Sequence, residues 1–381
     1  MRRWRVLAAI LGVLLLLGAG GLAGGGWYLS DVLKQDALLP NHEPAPYDMR
    51  VAAVGEGLVT LSVTPQTDEG GPWKSNGTWG LTWEGGYGQV GAIRELGAQQ
   101  AVRDFRPLQG TLSEGQMARL DSFAFPGNPR EAYGMNYEEV SYSSPLGMFT
   151  AWSVAGSNDT WAIFVHGRNA TPREALRLLP AVVKLGLPAL VITYRNDEGA
   201  PPNPDGLLWY GLTEWQDLEG AAQYALQQGA KEFVLVGYSM GGAIVVNFLY
   251  QSPLSARVKG VILDAPMVDF STTVDLGASR RGYPVLMATV AKGVAQLRFG
   301  LPWGDLDYVR LADRLKAPIL LFHGDADTKV PVATSDALAE ARPDLVKYMR
   351  VAGATHVGSW NLAPTAYEVT VLAFLAELMG K

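Results

Sequence analysis

The chain is predicted to be an α/β protein whose mostly parallel sheet is covered by helices on both faces. From about Tyr137 onward, short apolar runs recur at Trp161–Val165, Ala189–Tyr194, Phe233–Val236, Val261–Leu263, Ile319–Phe322 and Lys347–Val351. Helix-like stretches separate most of them: Pro172–Leu185, Thr213–Gln228, Gly241–Tyr250, Thr334–Ala341 and Thr365–Leu378. Most of the runs are apolar at nearly every position rather than at alternate ones, the pattern of strands buried on both faces. At 381 residues, 48% apolar and 18% charged, the chain is long enough for one large domain and a smaller one, and its composition excludes disorder or collagen.

The N-terminus comes first. Arg2, Arg3 and Arg5 precede Val6–Ser30, 25 residues without a charge, which as a helix would cross a hydrocarbon core roughly 30 Å thick. The basic end should stay cytoplasmic, which puts the body outside. The strongly apolar part stops at Leu17 and Gly18–Gly26 is rich in glycine, so the segment is either an uncleaved signal-anchor or a cleaved secretory signal. The expected location is the cell membrane, single-pass with the body on the extracytoplasmic side, or alternatively the periplasm or medium. Zero cysteine excludes a lipoprotein, thiolate catalysis and Cys-ligated zinc. A net charge of −6 gives no general attraction to nucleic acid.

Residues 31–48 carry Pro40, Pro44 and Pro46 and read as a linker or extended strap. A β-rich accessory region of unassigned role follows over 49–136. Val59–Val63 and Thr78–Trp83 alternate as strands, and Trp73, Trp79 and Trp83 either pack a core or line a groove. The α/β domain is expected over 137–381, opening with a hairpin at Val140–Ser144 and Met148–Val154.

The chemistry begins at Phe233–Gly242, where a buried strand runs into Gly237-Tyr238-Ser239-Met240-Gly241 and then into a helix. A serine on so tight a strand-to-helix turn adopts a strained backbone, its flanking glycines Gly237 and Gly241 admit close neighbours, and its Oγ is pushed out at a helix N-terminus. On these residues the chain from about 137 to 381 resembles an α/β-hydrolase, nearest in style to bacterial serine esterases and peptidases. Three further matches fall in the order that superfamily uses.

The strand Ile319–Phe322 ends in His323-Gly324-Asp325-Ala326-Asp327, followed by Val330-Pro331. The resemblance puts the triad acid at Asp327, with Asp325 and Asp264 as rivals. Of four histidines, His42 lies in the proline-rich linker, and His166 and His323 precede glycines at strand ends. His356, on the loop after the last strand, resembles the superfamily's catalytic histidine, whose Nε2 would take the Ser239 proton. The resemblance also makes His166-Gly167-Arg168 the loop that supplies one oxyanion donor, the backbone N–H of Arg168, with Met240 N–H as the second. Arg168 replaces the small residue of many relatives. Its guanidinium either faces solvent or points into the pocket, where it would select an acidic or phosphate-bearing substrate.

Serine rather than aspartate at the elbow implies an acyl-enzyme, and neither a metal nor another cofactor is expected. A mostly apolar insertion within 270–316 occupies the place of a lid, and 195–210 is expected to form another wall. The substrate class implied is a small or lipid-like ester, cleaved in the manner of a carboxylesterase or lipase. A peptidase, a thioesterase or a catalytically idle binding module are the alternatives.

Overall fold

A computed structural model describes residues 2–67 and 71–380. Met1, Lys381 and residues 68–70 lie outside the described residues, as do the side chains of Arg2, Arg3, Val6, Ala8, Ala9, Leu15 and Ala19, part of the basic and apolar N-terminal signal. The chain starts with α1 (Arg2–Leu33), and a π-helical turn, Lys34–Leu38, extends it. Six antiparallel strands follow: β1 (Met49–Gly55), β2 (Leu58–Val63), β3 (Trp79–Trp83), β4 (Gly86–Leu96), β5 (Gln100–Gln109) and β6 (Met117–Asp121). They close into a barrel in the order β1-β2-β5-β4-β3-β6, β6 pairing back onto β1. Closure leaves no unpaired edge to aggregate. Trp73, Trp79 and Trp83 are buried in the barrel with Leu61, Leu81 and Phe105, so they pack its core rather than line a groove.

A short α2 (Pro129–Tyr133) leads to the large sheet. Its strands are β7 (Glu138–Ser144), β8 (Gly147–Val154), β9 (Thr160–Val165), β10 (Ala189–Ile192), β11 (Glu232–Tyr238), β12 (Val258–Asp264), β13 (Ile319–Gly324) and β14 (Val346–Val351). Their order is β14-β13-β12-β11-β9-β10-β8-β7, parallel from β14 to β10, with β8 antiparallel to both β10 and β7. The helices are α3 (Leu179–Lys184), α4 (Trp215–Gln227), α5 (Met240–Gln251), α6 (Phe270–Arg280), α7 (Val285–Phe299), α8 (Val332–Ala341), α9 (Ser359–Leu362) and α10 (Pro364–Leu378). Apolar side chains from the two faces of the sheet form two separate cores, as a doubly covered sheet requires. Strand order reverses at β9, because β10 lies to one side of it and β11 to the other. A crevice therefore opens at the strand ends there, the usual ligand site of an open α/β sheet.

Two sequence expectations need correction. Residues 172–185 are not one helix: a 3-10 turn over Pro172–Arg177 gives way to the short α3, because Pro180 offers no N–H to continue the earlier turn. Residues 31–38, expected in the linker, remain helical. Arg298 pairs with Asp31 at 2.8 Å, Arg281 with Asp36 at 2.6 Å, and Leu38 is fully buried in the larger core.

Candidate active site

The serine sits where β11 turns into α5. Ser239 has φ 49° and ψ −116°, a strained conformation for a residue with a side chain. The turn is tight enough to require its glycines: a Cβ on Gly241 would lie 2.1 Å from the carbonyl oxygen of Val165, and one on Gly237 would lie 2.7 Å from that of Gly241. The surrounding backbone holds the strain. Ser239 N–H donates to the Asp264 carbonyl at 3.0 Å, and its own carbonyl accepts from Gly242 and Met267. Asn169, Tyr210 and Val357 also have positive φ, and with Ser239 they line one cleft.

From the far end of the same sheet, β14 delivers His356 on its following loop. His356 Nε2 lies 2.9 Å from Ser239 Oγ, and His356 Nδ1 lies 2.7 Å from Asp327 Oδ2. With Nδ1–H donating to the carboxylate, Nε2 is left to accept the serine hydroxyl's hydrogen. Asp327 follows β13, and its Oδ1 accepts the backbone N–H of Lys329 and Val330 at 2.7 and 2.9 Å. Burial pushes its pKa up, but hydrogen bonds from His323 and His356 and the charge of His356 outweigh that and hold the carboxyl well below the usual range. His323 serves the acid rather than the serine. Its buried Nε2 donates to Asp327 Oδ2 at 3.1 Å, while Nδ1 accepts from Ser335 Oγ at 2.7 Å.

The rival carboxylates are elsewhere. Asp325 accepts from Gly353 N–H at 2.7 Å, bracing the neighbouring loop. Asp264, 1% exposed, lies beneath the elbow and accepts from Ser359 Oγ at 3.2 Å, and its Oδ2 has no partner among the described residues. Burial, partly opposed by the charge of Arg177, pushes its pKa up to about 6. The folded state binds the proton more tightly than the unfolded chain, so stability falls as pH rises from about 4 to 6, by about 3 kcal/mol for two pKa units. Asp264→Asn should therefore flatten the loss of Tm between pH 4 and pH 7, read from thermal melts at both ends. An unchanged slope would refute the assignment.

The backbone N–H groups of Arg168 and Met240 have no acceptor among the described residues, and the Met240 N–H belongs to the first turn of α5. Both are free to receive negative charge. The loop carrying Arg168 is pinned from behind, where the buried Glu174 accepts Gly167 N–H at 2.7 Å. Its Oε1 pairs with Arg177, whose Nη1 donates to Val357 O at 2.7 Å and to Asn361 Oδ1 at 3.0 Å. One buried pair thus ties the 166–168 loop to the histidine loop. Sequence reasoning missed Glu174 and Arg177; their signal is a charged i, i+3 pair flanking the apolar Ala175 and Leu176.

Asn361 also reaches the barrel, donating to Thr78 O and Ser122 O at 2.8 Å each while its carbonyl accepts from Thr78 N–H. The barrel loop it grips is held by the buried Arg103, which donates to the carbonyls of Pro72, Ser75, Gly77 and Gly91.

The cleft above Ser239 encloses about 1570 Å³. Contrary to the solvent-facing alternative, the Arg168 side chain lies along it, half-buried, donating to Leu39 O at 3.2 Å, with its Nε unpartnered. The lid-position helices α6 and α7 form a second side through Val274, Ala278, Ala288 and Ala291. Segment 195–210 contributes Asp197, Glu198 and Tyr210; Pro201 instead packs near Gly147, and Arg195 is buried against Asp217 at 2.7 Å.

The alpha/beta hydrolase family profile matches residues 162–371, more than half of the chain, and the chain belongs to that family. No curated protein sequence matches it. Among solved structures, an esterase of Pyrococcus furiosus aligns with a TM-score of 0.54 at 19% identity, over 67% of this chain and 94% of that one. Est1E of Butyrivibrio proteoclasticus, with ferulic acid bound, aligns with a TM-score of 0.50 at 16% identity, over 64% of this chain and all of that one. Neither alignment spans the whole of this chain.

Proposed function

We propose that the protein is a serine hydrolase that cleaves carboxylic esters through an acyl-enzyme, held by α1 at the outer face of the cytoplasmic membrane. The observation that carries this reading is the continuous relay from Ser239 Oγ through His356 to the buried Asp327 carboxylate. Ser239 Oγ attacks the ester carbonyl carbon as His356 Nε2 takes its proton, and the carbonyl electron pair moves onto oxygen, facing the Arg168 and Met240 N–H groups. Collapse expels the alcohol, which receives the proton from His356 and leaves the acyl group on Ser239. Water, deprotonated by the same imidazole, then releases the acid. The esterase among the structural neighbours supports an ester over an amide as the substrate.

A fluorophosphonate probe tests the reading directly, since it requires an activated serine. Attack by Ser239 Oγ on phosphorus with loss of fluoride should leave one modified peptide, carrying Ser239, in a digest. Absence of labelling on folded protein would defeat the proposal and favour a binding module.

A further inference from the structure

The N-terminal helix does more than precede the catalytic body. The side chains described from Trp4 to Leu17 are exposed and mostly apolar, whereas Gly26, Leu29 and Ser30 are buried against the body. From Trp4 to Gly24 the free part measures roughly 30 Å at 1.5 Å per residue, the thickness of a hydrocarbon core. Where it ends, α7 begins. A Cβ on Gly25 would lie 2.4 Å from Met287 Cε, and one on Gly26 would lie 2.5 Å from Val290 Cγ1. Further along, Arg298 lies 3.8 Å over the Trp27 ring and Lys34 5.3 Å over that of Phe299. The two helices therefore run side by side in the same direction, with the first turn of α7 at the height where the free part stops. That turn presents Val285 and Leu286 outward, 83% and 59% exposed, and Trp27 and Tyr28 are exposed further along α1, apolar and aromatic side chains of the kind a membrane interface takes up. The inner sides of the same two helices reach the cleft: Leu29, Val32 and Leu33 from α1, Ala288 and Ala291 from α7.

We propose that the substrate is an acyl ester lipid of the membrane in which α1 is anchored, entering the cleft along the seam between α1 and α7, with the first turn of α7 immersed at the interface. This deepens the ester hydrolase reading and rests on it. The acyl chain lies along the apolar α1 and α7 wall, and its ester carbonyl meets Ser239.

The test uses the full chain reconstituted in phosphatidylcholine vesicles carrying a fluorogenic acyl glycerolipid, with p-nitrophenyl butyrate as the soluble substrate. Val285 and Leu286 do not line the cleft, so the double variant V285D/L286D should keep the wild-type rate on the soluble ester, which also reports that it folds. Since α1 holds both proteins on the vesicle, the variant reads immersion of the α7 turn rather than recruitment. Turnover of the vesicle lipid should fall at least tenfold. Equal lipid turnover by both proteins would overturn the proposal, as would a wild-type protein that cleaves the soluble ester but not the lipid. A wild-type protein inactive on both substrates would instead defeat the esterase reading itself.

Discussion

Ser239→Ala should lower kcat on a simple aryl ester by roughly 10⁵- to 10⁶-fold while leaving the protein folded. The serine oxygen is the atom that bonds to the substrate, and no other hydroxyl stands within hydrogen-bonding reach of His356 Nε2 among the described residues. Alanine keeps the Cβ that the turn already accommodates at φ 49°, so the strain is unchanged and the Tm should move by only a few degrees. Stopped assays with purified protein, paired with thermal melts, make the comparison. A variant that retains more than a thousandth of the wild-type rate would place the nucleophile elsewhere.

Asp327→Asn should cost roughly 10⁴-fold in kcat. The carboxylate accepts two imidazole hydrogens at Oδ2 and two backbone hydrogens at Oδ1, four bonds that need acceptors on both oxygens. An amide has one acceptor oxygen. If that oxygen stays with Lys329 and Val330, the amide nitrogen faces His356 Nδ1, imposes the opposite tautomer and puts N–H where the serine needs an acceptor. The depressed pKa of Asp327 keeps the carboxylate charged throughout the mildly acidic range, so its protonation should contribute nothing to any loss of kcat/KM above pH 5 in the wild type. The stability Asp327 contributes is present above its unfolded value and is lost as pH falls through the lower folded one. Urea melts would tell this from lost catalysis.

The elbow and the sheet were the legible parts, because both depend on local pattern. A strand that enters Gly-x-Ser-x-Gly and leaves as a helix leaves the serine few places to point, and the unbroken apolar runs mark strands whatever their neighbours are. The resemblance points to Asp327 as the acid but leaves Asp325 and Asp264 as rivals. Asp325 and Asp327 are two residues apart on one loop, and the difference between bracing Gly353 and meeting His356 lies in side-chain direction. Arg168 was undecided for a related reason: its guanidinium follows the Leu39 carbonyl, 129 residues away in sequence. The helical continuation past Ser30 was hidden because the charges at Asp31 and Asp36 look like a polar linker until Arg298 and Arg281 are brought to them. Barrel closure was likewise invisible, since β1 and β6 come from opposite ends of that region.

The Asn361 contact has a bearing on how activity arises in time. It joins Thr78 to the histidine loop across 283 residues of sequence, and closing so long a loop is a late event in folding. A chain still being synthesised can complete its barrel, and after residue 267 its serine elbow with the backbone that braces it, long before residue 361 exists. The imidazole is thus the last part of the relay to arrive, and its seat is shared with a region made first. Hydrolysis would begin only when the two ends of the polypeptide have met, so a truncated or half-folded chain holds its serine idle.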